Sequence, residues 1–170
     1  TYLQTAEATL TNLERVERAE DAGAWAIDGR DHITRRLCTM LETAAETVYF
    51  LHYNRFPLDA DVLTDLAEAA ERGVTVVVES GSRDLLDRVS AAIPDATLAE
   101  STIGEARTTE GQPARALLVD GRAVLMSAER EEQLPGLVEE SAIWADEMDH
   151  GLIVWCEVLL SARKRALGTP

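Results

Sequence analysis

Polar side chains that could take part in binding or catalysis follow two predicted strands. His52 stands at the end of the β-rich run 47–53, Arg55 follows it, and Glu79 comes directly after the apolar run 74–78. Ligands of open α/β sheets bind at the carboxyl ends of parallel strands. We therefore expect His52, Arg55 and Glu79 to line a binding site at one edge of a sheet. The alternative interpretation is that they are ordinary polar residues facing a loop.

A second candidate site lies in a predicted hairpin. Two apolar runs, 115–119 and 122–127, flank the dipeptide Asp120-Gly121. This dipeptide favours a two-residue type I′ turn between antiparallel strands. The hairpin would present Arg115 near the start of its first strand, either toward a ligand or simply toward solvent.

The hairpin resembles the strand-turn-strand of the phospholipase D superfamily, whose motif is His-x-Lys-x-x-x-x-Asp with a Gly-Ser pair downstream. Asp120 matches the aspartate, Ser127 the downstream serine, and Arg115 stands at the lysine position, while Pro113 stands at the histidine position. In that superfamily the histidine is the nucleophile and forms a phosphohistidine, which proline cannot do. The resemblance implies that covalent catalysis is lost, so we expect a protein that is not an enzyme. Arg115 would remain as a cation able to hold a phosphate, carboxylate or sugar hydroxyl.

Other catalytic and metal-binding signatures are missing from the sequence. It has no G-x-G-x-x-G after a strand, no Walker loop and no G-x-S-x-G elbow. The histidines, His32, His52 and His150, have no second His or Cys at metal-ligand spacing. Cys38 and Cys156 lack C-x-x-C spacing and are interpreted as buried thiols, although a disulfide between them stays possible. We expect neither a metal nor a cofactor.

The composition excludes several functional classes. The chain has 170 residues, with 16 Lys+Arg against 31 Asp+Glu, a net charge of −15, and Lys164 is its only lysine. This surface would repel phosphate backbones, and no apolar run is long enough to span a bilayer. No signal peptide opens the sequence, which favours a cytoplasmic protein. An acidic chain with almost no lysine is typical of a halophile, and the alternative is codon bias in a GC-rich genome.

The elements that must position the candidate residues alternate between strands and helices. We predict strands at 24–29, 47–53, 74–78 and 96–99, with helices at 31–46, 59–72 and from Ser82 to Pro94 between them. The hairpin follows a polar loop at 100–113, and a strand at 140–144 and a helix at 149–166 end the chain. This order predicts an α/β fold with a mainly parallel sheet flanked by helices.

A heptad-like seam precedes these elements. Leu3, Ala6, Leu10 and Leu13 are spaced by three, four and three residues, and Val16 follows them. We predict a coiled-coil or linker helix at 1–22 that dimerises, ahead of an α/β effector-sensing domain at 23–170. An amphipathic helix packed on its own domain is the alternative. Because the sequence begins in mid-pattern, we expect it to be a piece of a longer protein.

The order of several segments resembles the C-terminal domain of TrmB-like archaeal transcriptional regulators, especially the haloarchaeal members. The matching segments are Trp25 to Gly29, Ala44 to Val48, Ala69 to Val76, Leu117 to Leu125, Glu140 to Trp144 and Gly151 to Val154. The resemblance implies an upstream winged helix that binds DNA, a helix that dimerises, and a phospholipase D-like domain that senses a small effector such as a sugar. The winged helix is absent from this sequence.

Together these observations predict a non-catalytic effector-binding and dimerisation domain of a TrmB-like regulator. The predicted ligand-binding residues are Arg115, His52, Arg55 and Glu79, with Trp144 as an apolar platform for a sugar ring. Its partners would be a small-molecule effector, a second copy through the N-terminal helix, and DNA only through an upstream domain. Two alternatives remain open: a divergent phosphodiesterase that uses His52, and an interaction module without a ligand. We also expect Arg115→Ala to abolish ligand binding while leaving the fold intact.

Overall fold

A computed structural model of the chain describes residues 3–6, 23–53, 56–106, 108–131, 136–146 and 151–166. Residues 3–6 are helical. The strands are β1 Ala24–Asp28, β2 Thr47–His52, β3 Thr75–Ser80, β4 Thr97–Glu100, β5 Gln112–Val119, β6 Ala123–Glu131 and β7 Val138–Ala145. The helices are α1 Arg30–Glu42, α2 Ala60–Glu71, α3 Arg83–Ala92 and α4 Gly151–Ala166, with a 3₁₀ turn at Ile103–Glu105.

All seven strands belong to one mixed sheet with the order β1-β7-β6-β5-β2-β3-β4. Only β2, β3 and β4 run parallel to one another, and the other four pairings are antiparallel. The prediction of a mainly parallel sheet is therefore wrong. The α/β class and the flanking helices are confirmed.

The position of β1 explains this error. The chain leaves β1 through α1 but does not return beside it, because β1 pairs with β7 at the far edge of the sheet. The apolar run of β2 is continuous, as is typical of a strand covered on both faces, and both faces are covered in the structure. Coverage, however, does not decide the direction of a neighbouring strand, and β2 has parallel β3 on one side and antiparallel β5 on the other.

Two apolar clusters cover the two faces of the sheet. On one face α1, α2 and α3 pack against side chains that include Val48 and Phe50 of β2. On the other face Ile153 and Cys156 of α4 pack against a cluster that includes Tyr49. Because side chains alternate along a strand, His52 lies on the α1–α3 face with Phe50. The rings of these two residues lie 6.0 Å apart, edge to face.

Local signals in the sequence predicted the turns and caps well. Asp120 and Gly121 both have positive φ, as a type I′ turn requires, and the Arg122 N–H donates to the Val119 carbonyl at 2.9 Å. The Ser82 hydroxyl accepts the Leu85 N–H at the start of α3, which confirms the predicted N-cap.

The predicted coiled-coil seam lies mostly outside the described residues, and so does His150. Cys156 is buried and Cys38 partly exposed, and neither is in a disulfide. Within the ranges that the structure describes, no helix has the length and apolar character needed to cross a bilayer.

Candidate functional site

The carboxyl end of β2 brings two predicted site residues together. His52 is the Cα partner of Arg115 across the antiparallel β2–β5 pair, and their exposed fractions are 3% and 2%. Arg115 is two residues from Leu117 of the α1–α3 cluster, so its side chain also lies on that face. The imidazole and the guanidinium are therefore buried neighbours.

The Arg115 guanidinium is fully engaged by the protein itself. Nε and Nη2 donate to the two Glu140 carboxylate oxygens at 2.8 and 2.9 Å. Its remaining donors reach Thr34 Oγ1, Asp59 Oδ2 and the Arg30 carbonyl, at 2.7, 3.3 and 3.2 Å. A guanidinium has five N–H donors, and all five are used here. A ligand could reach Arg115 only by displacing one of these acceptors.

Ser127 completes this group, which we call the Arg115 network (Arg115, Glu140, Ser127, Thr34 and Asp59). The register between β5 and β6 shifts between Pro113 and Ala116, so the ladder is interrupted at Arg115. The Ser127 hydroxyl accepts the Arg115 N–H at 2.9 Å and donates to Glu140 at 2.6 Å. The Ser127 hydroxyl thus supplies an acceptor for the Arg115 N–H where the β5–β6 ladder is interrupted.

Asp120, the other residue matched to the phospholipase D motif, has an architectural role. Its carboxylate accepts the N–H groups of Ala45, Glu46 and Thr47 at 2.7 to 2.9 Å. Partial burial raises the pKa of Asp120, but these hydrogen bonds and Arg122 outweigh it and hold the pKa below its usual value. Asp120 therefore fixes the loop that leads into β2.

Glu79 lies on the opposite face of the sheet from His52. Its side chain has no exposed surface and is paired with Arg163 of α4, which donates through Nε at 3.0 Å and also through Nη2. Tyr49 donates its hydroxyl to the same carboxylate at 3.3 Å. Arg163 Nη2 reaches Ser101 Oγ at 2.6 Å as well. Glu79 therefore ties α4 to the sheet and to the segment after β4.

A cavity of about 670 Å³ opens at the carboxyl ends of the three parallel strands. His52 and Ser80 contribute from β2 and β3, and Arg88 contributes from α3. The other lining residues are Tyr53, Phe56, Pro57, Leu58, Gly81, Ser82, Asp84, Leu85, Glu100, Ser101, Thr102 and Glu105. We call this the strand-end cavity. Its position agrees with the expectation from strand direction, and its volume is in the usual range for small-molecule sites.

Two of the residues that line this cavity carry a buried polar atom that makes no hydrogen bond of ordinary geometry to the described residues: His52 Nε2 and Tyr53 Oη. Tyr53 packs on the α4 face of the sheet, opposite to His52, and its hydroxyl lies close to Ser101 and Glu79. Burial, followed by the charge of Arg115, lowers the pKa of His52 to about 4. The imidazole is therefore neutral near pH 7. A neutral imidazole can donate one hydrogen bond and accept another.

The charged groups around the strand-end cavity are mostly acidic. Among the described residues that line it, the carboxylates are Asp84, Glu100 and Glu105, and Arg88 is the one cation. Arg83 pairs with Glu100 at 2.7 Å. Arg88 Nη1 donates a hydrogen bond to the Leu58 carbonyl at 3.4 Å. The N-terminus of α3 adds a partial positive charge. These groups suit a ligand that presents hydroxyls better than one that carries several negative charges.

The two remaining predicted residues lie elsewhere. Trp144 stacks on Trp25 at 4.3 Å between ring centroids, and the Arg36 guanidinium lies 4.1 Å from its ring. Trp144 is not among the residues that line the strand-end cavity. Arg55 is outside the described residues. Within the residues that can be described, no group of His, Cys, Asp and Glu could hold a metal ion.

Several residues at the site were missed by sequence reasoning. Glu140 lies in a strand that the sequence predicts, but no local signal marks it as the partner of Arg115. Ser101 and Thr102 lie in a segment predicted to be an irregular loop. Tyr53 ends the predicted run 47–53 and is not among the predicted site residues, although a tyrosine at the end of a buried strand is a reasonable ligand candidate.

Comparison with known proteins identifies the fold. No protein-family model matches the sequence, and no curated protein matches it. TrmBL2, an archaeal chromatin protein, superposes with a TM-score of 0.59 at 16% identity, over 95% of this chain and 60% of TrmBL2. The chain thus spans about 60% of the length of that relative.

Two phospholipase D-like structures cover the chain almost as well. Nuc from Salmonella typhimurium, a phospholipase D family member, has a TM-score of 0.60 at 11% identity and covers 84% of this chain and 93% of its own. NucT from Helicobacter pylori has a TM-score of 0.59 at 11% identity and covers 82% of this chain and 93% of its own. The fold is phospholipase D-like, as the hairpin predicted. Identities this low do not transfer an activity.

Proposed function

We propose that this chain is the non-catalytic effector-binding part of a TrmB-like transcriptional regulator. Its ligand would be a small polyhydroxylated molecule, such as a sugar, in the strand-end cavity. The observation that carries the proposal is the strand-end cavity, which His52 lines with a buried imidazole whose Nε2 makes no hydrogen bond to the described residues. Because Nε2 has almost no accessible surface, a ligand hydroxyl would reach it only after a small shift of the ring, and it would then recover the roughly 1–3 kcal/mol that an unmade buried hydrogen bond costs.

The lining chemistry supports a neutral, hydroxyl-rich ligand. Carboxylates accept from hydroxyls, Arg88 donates to them, and the hydroxyls of Ser82 and Ser101 can do both. Phe56, which is 37% exposed, offers an apolar surface for a sugar ring. A phosphodiester would meet Asp84 and Glu105 at the same place, besides Glu100, which is paired with Arg83, and this disfavours the phosphodiesterase alternative.

The predicted residues outside the cavity would act through those inside it. Arg115 would hold His52 neutral and in place, since it is the partner of His52 across β2 and β5. Glu79 would act through Arg163, which contacts Ser101 in the cavity wall. In this proposal His52 touches the ligand, Arg115 and Glu79 are positioning residues, and Trp144 belongs to the packing between β1 and β7.

The regulator context is part of the same proposal. Residues 1–22 would form a dimerisation helix, residues 23–170 the effector-sensing unit, and a winged helix upstream would bind DNA, in a cytoplasmic, halophilic archaeal protein. The likeness to TrmBL2, which binds DNA, supports a regulator, and the net charge of −15 supports DNA binding by an upstream domain instead of by this chain. Coupling an effector to a second site is typically worth about 1–3 kcal/mol and requires different affinities for two conformations.

Thermal unfolding in molar KCl tests the ligand site. The chain is screened against neutral mono- and disaccharides, nucleotides and phosphorylated sugars. A neutral sugar at about 100 times its Kd should stabilise by about 2.7 kcal/mol, which corresponds to about 5–10 °C in Tm. His52→Phe should remove this shift in Tm, because it replaces the imidazole with an aromatic ring that has no hydrogen-bonding nitrogens. Thr39→Ala is the matched control, because that exposed hydroxyl bonds only to its own helix.

Other outcomes would support the alternatives. Turnover of a generic phosphodiester that is lost in His52→Ala would favour the enzyme. If no compound in the panel raises the Tm, the effector site is refuted and a ligand-free interaction module is favoured. A sugar-dependent shift that survives His52→Phe would place the ligand outside the strand-end cavity.

A further inference from the structure

A smaller cavity lies between α1 and the edge strand β1. Its volume is about 260 Å³, and its walls include Ile27 of β1 and His32, Arg35 and Arg36 of α1. His32 is three and four residues from the two arginines, so the three side chains are neighbours on the helix surface. None of the described residues that line this cavity is acidic, whereas three carboxylates line the strand-end cavity. We call it the α1 cavity.

The two arginines of the α1 cavity have no ion-pair partner among the described residues. Carboxylates are in excess in this chain, with 31 Asp+Glu against 16 Lys+Arg. Other arginines do pair with carboxylates, namely Arg30, Arg83, Arg115, Arg130 and Arg163. The guanidinium groups of Arg35 and Arg36 also donate no hydrogen bond to a described residue. Two neighbouring cations repel each other, and a bound anion would relieve that repulsion.

Trp144 holds the Arg36 guanidinium in a defined place. The Arg36 Cζ lies 4.1 Å from the centroid of the Trp144 ring, and Trp144 is itself stacked on Trp25. Stacking uses the flat face of a guanidinium and leaves its in-plane N–H donors available, and this planar fork matches two oxygens of an oxyanion. Arg36 therefore contrasts with Arg115, whose donors are all used within the protein.

We propose that the α1 cavity binds a small free phosphate, either inorganic phosphate or a small phosphate ester. Two guanidinium groups match the double negative charge of phosphate better than the single charge of a carboxylate. Arg36 is the main ligand, because Arg35 also borders a cavity lined by Asp61 and Asp65. A volume of about 260 Å³ is below the usual range for drug-sized ligands, which restricts the ester to a small one.

This site is separate from the strand-end cavity and independent of the proposed function. The two cavities share no described lining residue. Nucleic acid is disfavoured at the α1 cavity, because a chain with a net charge of −15 would repel the many phosphates of a duplex. A single phosphate group meets mainly the local positive charge, and salt screens the more distant carboxylates.

Titration of the 170-residue chain with inorganic phosphate tests the proposal. The ionic strength is held constant with KCl, the pH is kept at about 8 so that phosphate is mostly dianionic, and the arginine Nε–H signals are followed by NMR. We expect saturable shifts of the Arg36 and Arg35 signals with a Kd below about 10 mM. Shifts that grow linearly without saturation would overturn the site.

Variants assign the phosphate to the α1 cavity. Arg36→Gln should raise the Kd at least about tenfold, as expected for the loss of hydrogen bonds between charged groups, and Arg36→Lys should raise it less because the charge remains. Arg35→Gln changes an exposed residue and should raise the Kd by about threefold or more. Arg130→Gln is the matched control, because it removes the same charge from an exposed pair with Glu139 and should leave the Kd unchanged.

Trp144 is a positioning residue in this proposal. Trp144→Leu keeps both arginines but removes the ring on which Arg36 stacks, so the Kd should rise by about threefold or more. Trp144→Phe keeps an aromatic face and should retain most of the affinity. If Trp144→Leu binds phosphate as tightly as the wild type, stacking does not position Arg36 and this part of the proposal is wrong.

Three further outcomes would overturn the phosphate site. Unchanged affinity in both Arg36→Gln and Arg35→Gln would place phosphate elsewhere, and its loss in His52→Phe would then assign it to the strand-end cavity. An equal loss of affinity in Arg130→Gln would reduce the effect to general surface charge. A short DNA duplex is titrated in parallel: if it shifts the Arg36 signal and inorganic phosphate does not, the partner is a nucleic-acid backbone and not a free phosphate.

Discussion

Two groups of polar side chains meet at His52, and they differ in how completely they are satisfied. In the Arg115 network every guanidinium donor has a protein acceptor. At the strand-end cavity, His52 Nε2 is buried and makes no hydrogen bond to the described residues. The network contains Arg115 and Ser127, two of the residues that match a catalytic motif, yet its guanidinium has no donor left for a ligand. Binding capacity lies where hydrogen bonds are unmade.

The same difference separates the energetic roles of the two groups. Removing one member of a buried, satisfied ion pair leaves an uncompensated charge and typically costs about 3–5 kcal/mol. Removing an unpaired polar atom takes away a desolvation penalty and costs little or nothing. Substitutions can therefore test which residues hold the fold and which await a ligand.

The largest effect is expected for Arg115→Met. Glu140, which is 4% exposed, would lose its bidentate partner while remaining buried. We expect the free energy of unfolding to fall by about 3–5 kcal/mol, measured by urea unfolding in molar KCl. The burial of Arg115 thus replaces the expectation from sequence that truncating it leaves the fold intact.

A double variant separates the loss of the Arg115–Glu140 ion pair from the cost of leaving a buried Glu140 unpaired. Arg115→Met/Glu140→Leu removes both charges and fills the space with apolar atoms, so we expect it to recover at least half of the lost stability. If the double variant is as unstable as the sum of the two single variants, the pair is not a coupled unit. Full stability of Arg115→Met would contradict the role of the network in the fold.

A smaller, pH-dependent effect is expected for His52→Phe. The pKa of His52 is lowered from 6.5 to about 4 in the fold, so the unfolded chain takes up its proton at a higher pH than the folded chain. The stability contributed by the neutral imidazole is complete above the unfolded pKa and is lost as the pH falls toward the folded one, at up to about 1.4 kcal/mol per pH unit. His52→Phe should abolish this part of the slope.

Urea unfolding at about pH 7 and about pH 5, on either side of the ordinary histidine pKa, measures the slope, and NMR titration of the imidazole checks its cause. Thr39→Ala, which removes an exposed hydroxyl that does not titrate, is the control and should leave the slope unchanged. An equal slope in wild type and His52→Phe would contradict the burial of a neutral imidazole.

Local features of this fold could be predicted from the sequence, whereas long-range pairings could not. The turn at Asp120-Gly121, the cap at Ser82 and the end of α3 before Pro94 depend on residues that are adjacent in the chain. The place of β1 beside β7 depends on residues more than a hundred positions apart. Apolar runs indicate how much of a strand is covered but not which strand lies beside it.

The candidate site divides in the same way. That His52 lies at a strand end could be predicted, because strand direction and alternation are local properties. That Arg115 is saturated could not, because four of its five acceptors belong to Thr34, Asp59 and Glu140 and the fifth is the Arg30 carbonyl. The resemblance to a catalytic motif located the right strand and could not reveal that its cation had become part of the fold.

The smallest effect distinguishes two tyrosines. The Tyr53 hydroxyl is buried close to Ser101 and Glu79 but makes no hydrogen bond of ordinary geometry to the described residues, whereas the Tyr49 hydroxyl donates to Glu79 at 3.3 Å. Tyr53→Phe should therefore leave the free energy of unfolding unchanged or raise it by up to about 1 kcal/mol, and Tyr49→Phe should lower it by about 1–2 kcal/mol. Urea unfolding of both variants without ligand measures the contrast. A loss of stability in Tyr53→Phe as large as in Tyr49→Phe would mean that the Tyr53 hydroxyl already has a partner, and the strand-end cavity would then lose one of the two groups that favour it as a binding site.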